Sequence, residues 1–324
     1  MNIRVTLQLK RVLHVTLCVL VASLTVLGTV RTTAGIQGSG IRAFAAIGVV
    51  TGIGAGIVVD GVEYSTSRAQ FELDGHPGHQ SQLRAGDIVQ VVGTISGHGP
   101  FTADQVTFSG NVQGAVAGID IPGRAFFVLG QTVHVNSDAL FDPSIQPAAL
   151  EGLHTGEVVE VSGFRTSAGE LLAARIDARS HSPTARVAGS VEDLELAQKT
   201  FRINSLLIDF ASAEVGGTLA NGASVTVEGT EPDAGGTLRA NAVNVANALQ
   251  VEPGTDGRIE GLITDLASSS YFEVNGQPVA VNAQTHVKLR VPLGLDVAVK
   301  VTGVFDETGA LVARKLETEA SHAK

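Results

Sequence analysis

One block of residues recurs four times in this chain, and that repetition limits the fold more than any other feature. Its first landmark is a Leu followed three residues later by Gly or Asp, then alternating Val, then a closing Gly. The copies are Leu83…Gly86…Val89-Gln90-Val91-Val92-Gly93, Leu153…Gly156…Val159-Glu160-Val161-Ser162-Gly163, Leu219…Gly222…Val225-Thr226-Val227-Glu228-Gly229 and Leu293…Asp296…Val299-Lys300-Val301-Thr302-Gly303. Leu and closing Gly are 10 residues apart each time, and the closing glycines follow one another at 70, 66 and 74 residues. A second landmark lies downstream: Phe101-Ala103-Val106, Leu171-Ala173-Ile176, Leu238-Ala240-Val243 and Leu311-Ala313-Leu316. A third lies upstream: Ile57-Val59-Gly61, Phe126-Val128-Gly130, Phe201-Ile203-Ser205 and Phe272-Val274-Gly276. Each copy opens on an apolar-x-Gly strand at Val50-Gly52, Val112-Gly114, Val187-Gly189 or Ile259-Gly261. Self-similarity at such a period marks tandem structural units.

Each unit reads as about five short strands. Val-x-Val turns one face of the fourth strand to a core, while the other face carries Gln90/Val92, Glu160/Ser162, Thr226/Glu228 and Lys300/Thr302, polar in all but one place. That alternation belongs to a strand of an antiparallel sheet with one face solvated. The closing Gly suits a bend or bulge, and the Leu-x-x-Gly step suits one helical turn. Such units predict an all-β chain: a tandem array of four small five-stranded OB-like Greek-key barrels after an N-terminal signal helix. The expected boundaries are a signal peptide or anchor at 1–34, a Gly-rich linker at 35–46, and modules at 47–109, 110–182, 185–248 and 257–320. Ser180–Ala185 and Leu249–Gly257 read as linkers. Small modules without disulfides bury little core alone, so neighbours are expected to pack.

The opening Gly35-Ile36-Gln37-Gly38-Ser39-Gly40-Ile41, then Gly52-Ile53-Gly54 and Val58-Val59-Asp60-Gly61-Val62, resemble proteins built from the bacterial domain of unknown function 5666. The repeated Leu-x-x-Gly-Asp-x-Val-x-Val-x-Gly, most complete at Leu83–Gly93, is similar to that family's core motif. The likeness covers residues 35–320, closest in module one and loosest in module three. It implies an exported or lipid-anchored bacterial protein and brings no catalytic residues with it.

Arg4, Lys10 and Arg11 precede an apolar stretch from Val12 to Val30, with small residues at Thr32, Thr33 and Ala34. This order reads as a Sec-type signal with cleavage after Ala34. The stretch also approaches the ~20 apolar residues of a membrane span, an alternative weakened by His14, Thr16, Ser23 and Thr25. Cys18, the single cysteine, sits between Leu17 and Val19 inside the apolar run, which is the wrong place for lipidation. The expected location is the periplasm or cell surface, with membrane contact only through the N-terminal segment if it stays uncleaved.

The net charge is −10, and the first 34 residues hold Arg4, Lys10, Arg11 and Arg31 but no acid, so the rest of the chain is more acidic still. An acidic body with scattered Lys and Arg argues against nucleic-acid partners. Phe101, Phe126, Phe201 and Phe272 fall on landmarks and read as core; Tyr64 and Tyr271 read as isolated. Gly52-Ile53-Gly54-Ala55-Gly56 leads into Ile57-Val58-Val59, a strand where a phosphate loop needs a helix. Glu192/Asp193 and Asp306/Glu307 are adjacent in turns, whereas glycoside hydrolysis needs carboxyls facing across a cleft. His76-Pro77-Gly78-His79, near Glu72 and Asp74, is the one metal-like cluster, with His76 and His79 as candidate ligands against the plainer reading of a solvated loop. His98, His134, His154, His181, His286 and His322 stand singly.

Together these features predict an exported, non-enzymatic interaction or structural protein with no cofactor. Its partner would be an envelope protein or a glycan, bound in grooves between modules. The alternatives are a glycan- or divalent-cation-binding envelope protein and an envelope enzyme with an inter-module site.

Overall fold

The computed structural model describes residues 40–97, 99–179, 184–246 and 249–318, and it is almost entirely β. Module one comprises β1 (Ile41–Ile53), β2 (Ile57–Val59), β3 (Val62–Ser65), β4 (Gln70–Leu73), β5 (His76–Gly78), β6 (Ile88–Ser96) and β7 (Phe101–Phe108). Module two follows with β8 (Val112–Asp120), β9 (Ala125–Val128), β10 (Gln131–Phe141), β11 (Val158–Arg165) and β12 (Leu171–Ala178). Module three has β13 (Thr184–Ser190), β14 (Glu192–Glu195), β15 (Thr200–Ile203), β16 (Leu206–Asp209), β17 (Glu214–Gly216), β18 (Ser224–Thr230) and β19 (Thr237–Val245). Module four has β20 (Asp256–Ser268), β21 (Tyr271–Val274), β22 (Gln277–Ala280), β23 (His286–Lys288), β24 (Ala298–Phe305) and β25 (Leu311–Thr318).

Module two shows the plan in its simplest form. β8 pairs antiparallel with β9 and with β11, β9 with β10, and β11 with β12, while β10 closes the ring by running parallel to β12. The other modules close likewise, with the first strand of module three interrupted at Val191 and the third strands of modules one, three and four each split in two. Four five-stranded OB-like barrels therefore stand where the repeat predicted them. Val89/Val91, Val159/Val161, Val225/Val227 and Val299/Val301 are all buried, as are all residues of the second and third landmarks except Phe101 and the turn residues.

Backbone geometry explains the landmarks. Every closing glycine coincides with a register shift against the last strand, at Val92/Gly93, Ser162/Gly163, Glu228/Gly229 and Thr302/Gly303. A Cβ there would overlap the carbonyl oxygen of Thr102, Leu172, Arg239 or Val312. The Leu-x-x-Gly step needs a left-handed residue: Gly86, Gly156 and Gly222 have φ of 95°, 87° and 83°, and Asp296 takes the same role at 63°. Asp tolerates that conformation better than most side chains. The helical turn falls slightly earlier than expected, as single 3-10 turns at Gln80–Gln82 and Leu150–Gly152.

Three expectations change. The linker assigned to 35–46 is strand from Ile41, because Phe44 and Ala46 enter the module-one core. At the other linkers, Thr184–Ala185 belong to β13 and Asp256–Gly257 to β20. Leu249 is buried, and its N–H donates to Gln277 Oε1 at 3.0 Å. The outer face of β11 is not solvated: Glu160 and Ser162 are 4% and 3% exposed, because other modules cover them. The signal segment lies outside the described residues.

The covering contacts begin on the first strands. Phe44–Ile47 of β1 pair in parallel with Asp256–Ile259 of β20, and Val112–Gln113 of β8 pair antiparallel with Arg186–Val187 of β13. Modules one and four thus share one sheet, and modules two and three share another. Barrels two and three also share one apolar core, running from Val112 and Phe126 through Val187 and Phe201 to Val243.

Gly93→Ala is expected to lower stability by on the order of 3 kcal/mol, a backbone clash in a closed barrel. Gly54→Ala, with no atom within 4 Å of its Cβ position, should leave the melting temperature within a degree or two. Thermal unfolding of both variants checks the pair; equal effects would remove the bulge explanation.

Candidate functional site

A cleft of about 690 Å³ opens where modules one, two and four meet. Module one contributes Val49–Thr51 of β1 and the Ala85-Gly86 turn, and module four contributes Glu260–Leu262 of β20, Asp296 and Ala298. The largest share comes from β10, Phe164 and Leu172–Ala174 of module two. β10 enters the site through an irregularity: Val135 pairs with Ala173, yet the next paired residue is Leu140 opposite Arg175. The intervening chain swings out, so that Asn136, Asp138 and Leu140 line the cleft. The Asp138 N–H donates to Asn136 Oδ1 at 3.1 Å, which holds this excursion.

Polar groups surround an apolar floor. Arg124 Nε donates to Val135 O at 3.0 Å, and His134 Nε2 lies 2.7 Å from Glu170 Oε2. The Asp296 carboxylate accepts from Ser167 N at 2.6 Å and from Ser167 Oγ at 3.0 Å, tying module four to module two. Glu260 lies 3.6 Å from Lys300, which sits 2.7 Å from Asp60 of module one.

Behind the Ala85-Gly86 wall the modules are joined by buried charge. Arg175 Nη1 donates to Ala85 O at 3.0 Å, and its Nε donates to Asp177 Oδ2 at 2.7 Å. Arg186 of module three reaches Asp74 of module one at 2.7 Å, Glu160 of module two at 3.6 Å and Glu228 of its own module at 3.1 Å. Arg179 Nε donates to Glu160 Oε2 at 2.8 Å. Burial still pushes the Glu160 carboxyl above its ordinary range, against the pull of Arg179. Asp87 accepts from the Arg84 N–H at 2.7 Å, and burial pushes its carboxyl from 3.8 up to about 7.

The residues singled out in the sequence lie elsewhere. His76 and His79 are exposed on and beside β5, where the His79 N–H donates to Gln82 Oε1 at 2.8 Å. Asp74, near them in sequence, turns inward to Arg186 and to the Gly110 N–H at 3.0 Å. Among the described residues no three His, Cys, Asp or Glu side chains converge to hold a metal ion. Cys18, His98, His181 and His322 lie outside the described residues. Gly52 and Ile53 end β1 and Gly54–Gly56 turn into β2, and the Asp306 carboxylate accepts from Thr308 N at 2.8 Å inside its turn. Phe126, Phe201 and Phe272 are core. Tyr64 is not isolated: it is buried against Phe44 and Phe101, with ring centroids 5.3 and 5.4 Å away.

Arg124, Asp138 and Glu260 carry no mark in the sequence, because nothing in one module singles out residues that meet in another. Arg186 is equally unmarked, although its partners Glu160 and Glu228 stand out as acids on outer strand faces that are covered in the fold.

A carboxyl held at about 7 when folded and 3.8 when unfolded binds its proton more tightly in the folded state, so its contribution to stability falls as pH rises between those values. The ionised form then carries a burial cost on the order of 4 kcal/mol. Asp87→Asn is expected to gain on the parent as pH rises from 5 to 8, its melting-temperature advantage growing by at least about 3 °C. Melting curves at both pH values check this; an advantage that stays the same or shrinks would refute it.

The domain of unknown function (DUF5666) family model matches three times, at residues 47–107, 113–177 and 260–317. No curated protein matches the chain. Among solved structures, drosophila Unr CSD456 aligns at 12% identity over 64% of this chain and 97% of that one, with a TM-score of 0.16. The matched segments fall on barrels one, two and four and together cover more than half of the sequence, so the chain belongs to the DUF5666 family as a tandem-repeat member.

Proposed function

We propose that this protein is an exported, non-enzymatic interaction protein whose fused barrels present the cleft among modules one, two and four to a partner in the bacterial envelope. The carrying observation is the joining of modules distant in sequence. β1 of module one pairs with β20 of module four, and Asp296 of module four bonds Ser167 of module two across the cleft wall. This joining makes a concave surface that no single barrel owns. A spacer needs only a string of modules, whereas a preformed recess between modules favours binding, because a rigid surface loses little freedom when a partner docks. The charged leader with its apolar run supports export.

The cation-binding alternative has less support, since His76 and His79 are exposed and gain no third ligand among the described residues. The enzyme alternative would draw on His134, Asp138, Glu260 and Asp296, the titratable groups other than Arg124 that line the cleft.

Two measurements test the reading. Residues 1–34 fused to a reporter enzyme active only outside the cytoplasm should give full reporter activity; a silent fusion would overturn export. Purified protein assayed on ester, glycoside, peptide and phosphodiester substrates should show no turnover. Turnover abolished by Asp138→Asn or Glu260→Gln would replace this reading with the enzymatic one.

A further inference from the structure

We propose that the cleft among modules one, two and four binds a small cationic amphiphile, a molecule with an apolar body and one ammonium-like group. The inference rests on the interaction reading above and names the chemistry of its ligand. At about 690 Å³ the cleft falls within the size range of small-molecule sites, roughly 300–1,000 Å³. Its floor is apolar, with Phe164, Leu172 and Leu262 beside Leu140. Leu140 is 43% exposed on the bulged part of β10, and an apolar chain laid there would remove that surface from water.

Charge selects the head group. Asp138, Glu260 and Asp296 line the site against one guanidinium, Arg124, whose Nε is already bonded to Val135 O. Lys300 offsets part of Glu260 but sits closer to Asp60. Carboxylates outnumber cations, so an anionic head group would be repelled. The chain's net charge of −10 adds attraction for cations at longer range. A bare divalent ion is a poor match, because such ions take six or more oxygen ligands and this floor is carbon. A neutral polyol would leave the apolar floor without a counterpart.

Three probes with one chain length and different heads test the proposal: octylamine, octanoate and octyl glucoside, each titrated calorimetrically into the full-length protein at about 0.15 M salt. Octylamine is expected to bind saturably and to raise the melting temperature, with the other two at least about ten-fold weaker, about 1.4 kcal/mol. Asp138→Asn should weaken octylamine about two- to five-fold, the worth of one exposed ion pair. Ala174→Phe, which fills the cleft, should abolish binding.

Equal binding of all three probes, or preference for octanoate, would overturn the charge assignment. Unaltered octylamine binding to folded Ala174→Phe would overturn the location. If that variant does not fold, unchanged affinity in Asp138→Asn overturns the proposal. Failure here leaves export and the absence of turnover standing, since those are read by separate assays.

Discussion

The open edge of each barrel's first strand is the constraint on which the rest of the structure depends. In a five-stranded closed barrel this strand serves two partners, and each needs a different half of it. Its early half pairs with the fourth strand and its late half with the second, as in β20, where Asp256–Leu262 face β24 and Ile263–Ser268 face β21. The early half is left with unpaired N–H and C=O groups along its other edge, which invite another strand. Both joints use that edge, β1 with β20 in parallel and β8 with β13 antiparallel. One need, met twice, welds four small barrels into two pairs.

Charge then decides how the pairs sit together. Arg186 collects carboxylates from three modules, and Arg175 and Arg179 extend the network to Ala85, Asp177 and Glu160. Buried charges are costly unless paired, and removing one partner is far worse than never having had the pair. Such a network suits specificity of arrangement more than raw stability. Asp87 is left buried beside it, accepting one backbone N–H, and its carboxyl accordingly holds its proton toward neutral pH.

The cleft is a by-product of the same geometry. Modules one and four are brought together by their first strands, module two leans on both, and the excursion of β10 between Val135 and Leu140 lines the recess between them. Asp296 shows how a local need becomes a site residue. It occupies the left-handed step that Gly fills in the other modules, and its carboxylate is thereby free to meet Ser167. Glycine at that position would satisfy the backbone and leave Ser167 without its acceptor.

Local physics made much of this protein readable from its residues. Valine alternation set the core face of each fourth strand. Glycine marked each bulge, where a Cβ would meet a carbonyl oxygen, and three of the four left-handed steps, with Asp296 at the fourth. Repetition counted the barrels, and the family motif lay within one barrel. These are short-range demands, each met within a few residues. The pairing of module one with module four, the burial of Glu160 and Ser162, the Arg186 network and the cleft were decided only in three dimensions. Their reason is physical: edges, outer faces and charges left over after each barrel closes have no preferred partner nearby in sequence. They are satisfied by whichever module the fold brings against them.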